Sequence, residues 1–191
     1  MRDIMRIKNV GNFCSVRGKA EGGKLTAVAS TSVVDRDGEV ILPSAFARHL
    51  DRYLANPVIL AAHTHRSADG MPTILGSATR VAIESNALVF DMTFARTPLA
   101  EQWRSLYEDG HARAFSVGFI PLAGEWKEQA EGNVYVWTEV ELLEISAVPV
   151  PANPEALARD VCGEELERLI DERVRKALRE MYLTRLSALF E

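Results

Sequence analysis

Two cysteines, Cys14 and Cys162, are all that the 191 residues hold. That is too few for a disulfide framework, and they lack the paired spacing of a zinc site. Long hydrophobic runs are missing as well. Nothing approaches the roughly 18 apolar residues of a membrane span, and Met1–Phe13 has no apolar core of the signal-peptide kind. Positive charge is not in excess: 22 Lys and Arg stand against 27 Asp and Glu, a formal net charge of −5. Broad phosphate neutralisation of a nucleic acid is therefore a poor reading. Histidine is scarce too, with four in the chain. The expectation is a soluble protein of a reducing cytoplasm, with no membrane or nucleic-acid partner, no metal and no cofactor.

What is present is ordinary in amount. At 47% hydrophobic and 26% charged residues, the chain matches globular averages and has length for one core. Leu25 to Val34 reads as a strand that breaks at Asp35-Arg36-Asp37-Gly38. Ser44 is placed to cap a short helix with Phe46, Leu50 and Leu54 on one face, stopped by Pro57. Val58 to Ala62 is an apolar strand running into His63. Residues 76–83 and 88–94 read as a hairpin through Ser85-Asn86-Ala87. Thr97-Pro98 has the chemistry of a helix start, with an end near Gly110. Two further strands follow, Ala114–Ile120 and Val134–Val148, the second closed by Pro149 and Pro151.

From Gly163 onward, Leu166, Leu169, Ile170, Val174, Ala177, Leu178, Met181 and Leu186 keep helical spacing, predicting one long C-terminal amphipathic helix. The division is a main domain over residues 1–158 and this helix over 159–191, a segment for pairing copies or holding a scaffold. The fold class expected from the pattern is α+β, mostly antiparallel.

Three places combine reactive side chains with a strand that could aim them. In Ala62-His63-Thr64-His65, alternation puts both imidazoles on one side. In Ala114–Phe119, the residues Phe115, Val117 and Phe119 take the core face. Ser116 lies opposite, between the small Ala114 and Gly118, which leaves room for a carbonyl to approach. In Glu139–Ser146, a regular strand puts Glu144 on the face of Val140, Leu142 and Val148, where a carboxylate needs a partner such as histidine; a bulge would reverse that assignment. Each also has an ordinary reading: Ser116 as a small strand residue, His63 as a surface group, Glu144 as half of an ion pair. His63 and His65 could instead be two ligands of a metal-dependent hydrolase, needing at least one more.

In order along the chain, Val34-Asp35-Arg36-Asp37-Gly38-Glu39-Val40-Ile41, the run from Pro57 to His63, Ala114-Phe115-Ser116-Val117-Gly118-Phe119, and Leu143-Glu144-Ile145-Ser146-Ala147-Val148-Pro149-Val150-Pro151-Ala152-Asn153-Pro154 resemble the prohead maturation serine proteases of tailed bacteriophages. The resemblance covers roughly residues 25–157. It implies a fold like that of herpesvirus assembly proteases, a closed β-barrel-like core surrounded by helices. It also implies an endopeptidase acting inside the assembling procapsid, in the host cytoplasm. Its substrates would be scaffold, the scaffold-like arm of the major capsid protein, and itself. By position, Ser116 would be the nucleophile, His63 the base and Glu144 the third member. The family often follows its histidine with an acidic residue where this chain has Thr64 and His65, so His65 is carried as an alternative or supporting group. Since fold does not guarantee activity, a catalytically silent capsid-assembly module is the other alternative.

Overall fold

The computed structural model describes residues 24–129 and 132–159. It is built on one sheet of seven strands: β1 (Lys24–Thr31), β2 (Glu39–Ile41), β3 (Val58–Ala61), β4 (Ile74–Glu84), β5 (Ala87–Phe94), β6 (Ala114–Gln129) and β7 (Gly132–Val148). A 3-10 helix (Pro43–His49) runs into α1 (Leu50–Leu54), and α2 (Pro98–Glu108) lies between β5 and β6.

Several boundaries follow from local chemistry. Asp35 Oδ1 accepts the N–H groups of Asp37 and Glu39, both at 3.0 Å, and Gly38 takes φ of 81°. This Asx-type turn therefore has the glycine that a left-handed residue favours. Ser85 and Asn86 both have positive φ, 47° and 62°, the two-residue primed turn whose twist suits the β4–β5 hairpin. Thr97 caps α2 by accepting the Ala100 N–H at 3.2 Å, with Pro98 at the first helical position. Ser44 has no such role: the helical segment begins a residue earlier at Pro43, with Leu42 at the cap position and no side-chain cap bond.

The strand order is β1-β5-β4-β3-β7-β2, and β6 pairs with β7. The long β6–β7 hairpin is antiparallel, whereas β2 and β3 both join β7 in parallel. Phe46, Phe90, Phe115, Ile59, Leu75 and Leu142 are among the side chains that fill the core.

The α+β, closed and helix-surrounded fold class is corrected on each count. The described chain is mostly strand, with two short α-helices, and its sheet is an open, curled half-barrel. Closure would need β1 laddered to β6 or β2, and that ladder does not form. Between β1 and β6 lie residues 156–159, bridged to Ala27 through Ala158 and to Ala114 through Leu157. Their backbone takes the edge bonds of both strands, Val28 N–H to Leu157 O at 3.0 Å on one side and Phe115 N–H to Ala156 O at 2.9 Å on the other, so β1 and β6 do not pair with each other. The long C-terminal helix expected from Gly163 onward lies outside the described residues.

Candidate active site

The site begins where β3 ends. The parallel pairing with β7 runs through Ala61 opposite Ala147, and the Ala62 N–H still reaches Ala147 O at 2.9 Å. The chain then turns sharply. Ala62 and His63 have φ of 50° and 56°, a left-handed pair at which non-glycine residues cost about 1–2 kcal/mol each. His63 is thereby lifted off the strand, so the alternation that put His63 and His65 on one side does not apply. His65 lies exposed in the following loop and does not line the cleft described below.

A second departure from regularity places the acid. Along β6 and β7, Ser116 pairs with Ser146 and Gly118 with Glu144, but Phe119 pairs with Leu142, leaving Leu143 as an extra residue in β7. A bulge of one residue changes which face the side chains take. Val140 and Leu142 are core residues on one side of it, and Ile145 and Ala147 are core residues on the other. Glu144 therefore does not share the face of Val140 and Leu142. It shares the opposite face with Ser146, directly across from Gly118 and Ser116.

On that face the polar groups form a chain. Glu144 Oε1 lies 2.6 Å from His63 Nδ1, and Glu144 Oε2 accepts the Ser146 hydroxyl at 2.6 Å. The Ser146 Oγ in turn accepts the His63 backbone N–H at 3.0 Å. Glu144 is only 6% exposed, so two good hydrogen bonds are what make its burial tolerable. The bond from Glu144 raises the His63 pKa above the ordinary imidazole value, desolvation opposes it, and the carboxylate charge adds to the rise. With Nδ1–H directed at a carboxylate, the lone pair of the neutral ring sits on Nε2.

His63 and Ser116 line one cleft of about 270 Å3. The same cleft is lined by Asp35 and Asp37 of the first turn, Glu39 at the start of β2, and Ala152 and Asn153 of the Pro-rich segment. The first turn and the Pro-rich segment are tied together. The Arg36 guanidinium donates to Pro151 O across 115 positions of sequence, and its backbone N–H reaches Ala152 O at 3.0 Å. Asn153 Nδ2 donates to Thr31 O at 2.9 Å. Val117 and Phe119 also line the cleft while packing against the core.

Gly118 is required by the carboxylate. A Cβ there would stand 2.9 Å from Glu144 Cδ and 3.0 Å from its Cγ, with Oε1 nearer still. The Glu144 side chain lies over the backbone of Gly118 on its way to His63. With Glu144 in the orienting role proposed below, Gly118→Ala is expected to push the carboxylate aside and lower kcat by up to about 100-fold, the effect of a misplacement of about 1 Å. Far-UV circular dichroism should stay unchanged, because alanine suits a strand better than glycine. A fully active alanine variant would contradict this placement.

The structure thus brings Ser116, His63 and Glu144 to one place, and leaves His65 apart. Among the described residues no group of three or more His, Cys, Asp or Glu side chains could hold a metal ion. His49 bonds Glu139 at 2.9 Å, and His111 is exposed, so neither joins His63. Sequence reasoning missed the part played by Ser146. Its signal was the Glu-x-Ser spacing, which puts two side chains on one strand face.

The profile of the caudovirus prohead serine proteases matches residues 25–169. The chain belongs to that family. It is 31% identical over 154 residues, 74% of its length, to the prohead protease of Escherichia phage T5, and spans 66% of that relative. It is also similar, at 10% identity and a TM-score of 0.47, to the bacteriophage T4 capsid assembly protease, over 66% of this chain and 82% of that one. The family expectation drawn from the four motifs therefore stands, and those motifs are the segments that build the cleft wall, the His63 turn, the Ser116 strand and the Glu144 strand.

Proposed function

We propose that the chain is a serine endopeptidase of phage prohead maturation, with Ser116 as nucleophile, His63 as general base and Glu144 as the group that orients the imidazole. The single observation that carries this is the 2.6 Å contact of His63 Nδ1 with a buried carboxylate, in a cleft that His63 shares with a strand serine. Base, orienting group and nucleophile on separate elements but in one cleft are what acyl transfer needs.

His63 Nε2 takes the Ser116 proton as Oγ attacks the scissile carbonyl carbon. The imidazolium then gives that proton to the departing amine as the C–N bond breaks, leaving an ester on Ser116. Water enters, loses a proton to Nε2, and releases the acid while Oγ recovers its proton. Glu144 holds the tautomer throughout and stabilises the positive ring without taking its proton.

The substrates in this reading are scaffold or the scaffold-like arm of the major capsid protein, and the chain itself, cleaved inside the assembling procapsid. Incubation with capsid protein and scaffold, followed by intact mass, is expected to show new termini in both the substrate and the protease. Unchanged masses in assembled proheads would remove the reading. Self-association through residues 159–191 belongs to the same proposal. Light scattering should give the full chain twice its own monomer mass and a chain ending at Ala158 the mass of a monomer; a full chain that is itself monomeric would exclude it.

A further inference from the structure

We propose that Ser146 is a positioning residue, a hydroxyl that holds the base and its carboxylate in mutual register; this rests on the catalytic reading above. Ser146 is 0% exposed and pairs directly with Ser116 across β6 and β7. The two serines are neighbours on one face and differ in what their surroundings allow. Ser116 lines the cleft. Ser146 gives its proton to Glu144 Oε2 at 2.6 Å and accepts the His63 backbone N–H at 3.0 Å.

A hydroxyl has one donor and two acceptor lone pairs, so a single atom can serve both neighbours at once. The first bond fixes one oxygen of the carboxylate and leaves the other aimed at Nδ1. The second holds the amide of a residue whose φ is 56°, in a turn that has left the strand ladder and needs an outside partner for that N–H. Fixing both ends of the Nδ1···Oε1 contact from one buried atom on β7 sets the ring's orientation toward Ser116. The Glu-x-Ser spacing is what provides it, because residues two apart on a strand face the same way.

The test uses the full chain and reads two quantities. One is kcat and KM for cleavage of purified scaffold protein. The other is the downfield proton NMR signal of the His63 Nδ1–H in its bond to Glu144, recorded in wild type and in a Ser116→Ala background. Ser146→Ala is expected to lose that signal to solvent exchange and to lower kcat by about 10- to 100-fold, with KM within about twofold. Ser146→Cys, which keeps a weak donor, should fall between the two. An Ala variant with the signal and kcat of wild type overturns the proposal, as does a Cys variant that falls as far as Ala, since that would mean packing and not the donor. Should Ser146→Ala not fold, the Cys variant alone decides: wild-type signal and rate overturn it, and a partial loss of both supports it. The signal needs no turnover. If Ser116 is not the nucleophile, Ser116→Ala cleaves as well as wild type or neither cleaves, while the signal still responds to Ser146, so the two failures are told apart.

Discussion

Ser116→Ala is expected to abolish proteolysis and self-processing while the chain keeps its fold. Where a serine, a histidine and a carboxylate act as one unit, deleting the nucleophile costs about 10^6-fold in kcat. The substitution removes one oxygen from a half-barrel whose core face it does not touch, since Phe115 and Val117 on either side carry the packing. His63→Ala should cost a similar factor, and the double variant little more than either single one, because base and nucleophile are useless apart. Intact mass after co-expression with capsid protein and scaffold checks this. Continued trimming by the Ser116→Ala chain would move the chemistry elsewhere. A wild-type chain that never trims in assembled proheads would favour the silent assembly module.

Glu144→Gln carries the second large effect, about 10^4-fold in kcat. The amide has one oxygen for two partners. Turned with oxygen toward Ser146, it presents N–H to His63 Nδ1 and forces the ring proton onto Nε2, where the lone pair is needed. Turned the other way, it faces its own N–H toward the Ser146 hydroxyl and loses the acceptor that Ser146 uses. The pH profile separates these effects from simple unfolding. In wild type the bond from Glu144 raises the His63 pKa above the ordinary value. Activity is therefore full when the ring is neutral, and is lost as pH falls through that raised value. In Glu144→Gln both the bond to a carboxylate and its charge are gone, so the midpoint of kcat/KM should move to lower pH. A midpoint that stays in place would mean Glu144 does not act on His63.

Local chemistry was the legible part of the fold. Ser85-Asn86, Thr97-Pro98 and Asp35-Arg36-Asp37-Gly38 each specify a turn or a cap through neighbours a few residues apart, and each forms as read. The short helix misled because Ser44 and Pro43 both suit a helix start, and the proline took the first turn. What depends on distant pairing was not legible. The extra residue at Leu143 exists only in the register of β7 against β6, so its effect on Glu144 waits for the partner strand. The left-handed turn at Ala62-His63 carries no glycine to announce it. One of the bonds that holds it comes from Ser146, 83 residues away. Openness of the sheet is likewise a matter of whether two remote edges meet, and strand count along the chain does not state it.

Family resemblance reached further than pattern because its motifs carry those long-range requirements. Gly118 illustrates this. On the strand it looked like a small neighbour that leaves room beside Ser116. In the fold it is the floor over which the Glu144 carboxylate crosses.

The most direct measurement is intact-mass labelling with a serine-directed fluorophosphonate on wild type, Ser116→Ala and His63→Ala, repeated in the presence of scaffold and capsid protein. One adduct on wild type, mapped to Ser116 and missing from both variants, is the predicted result. An adduct on Ser146 or any other serine, or labelling of Ser116 that survives loss of His63, would contradict the assignment of nucleophile and base.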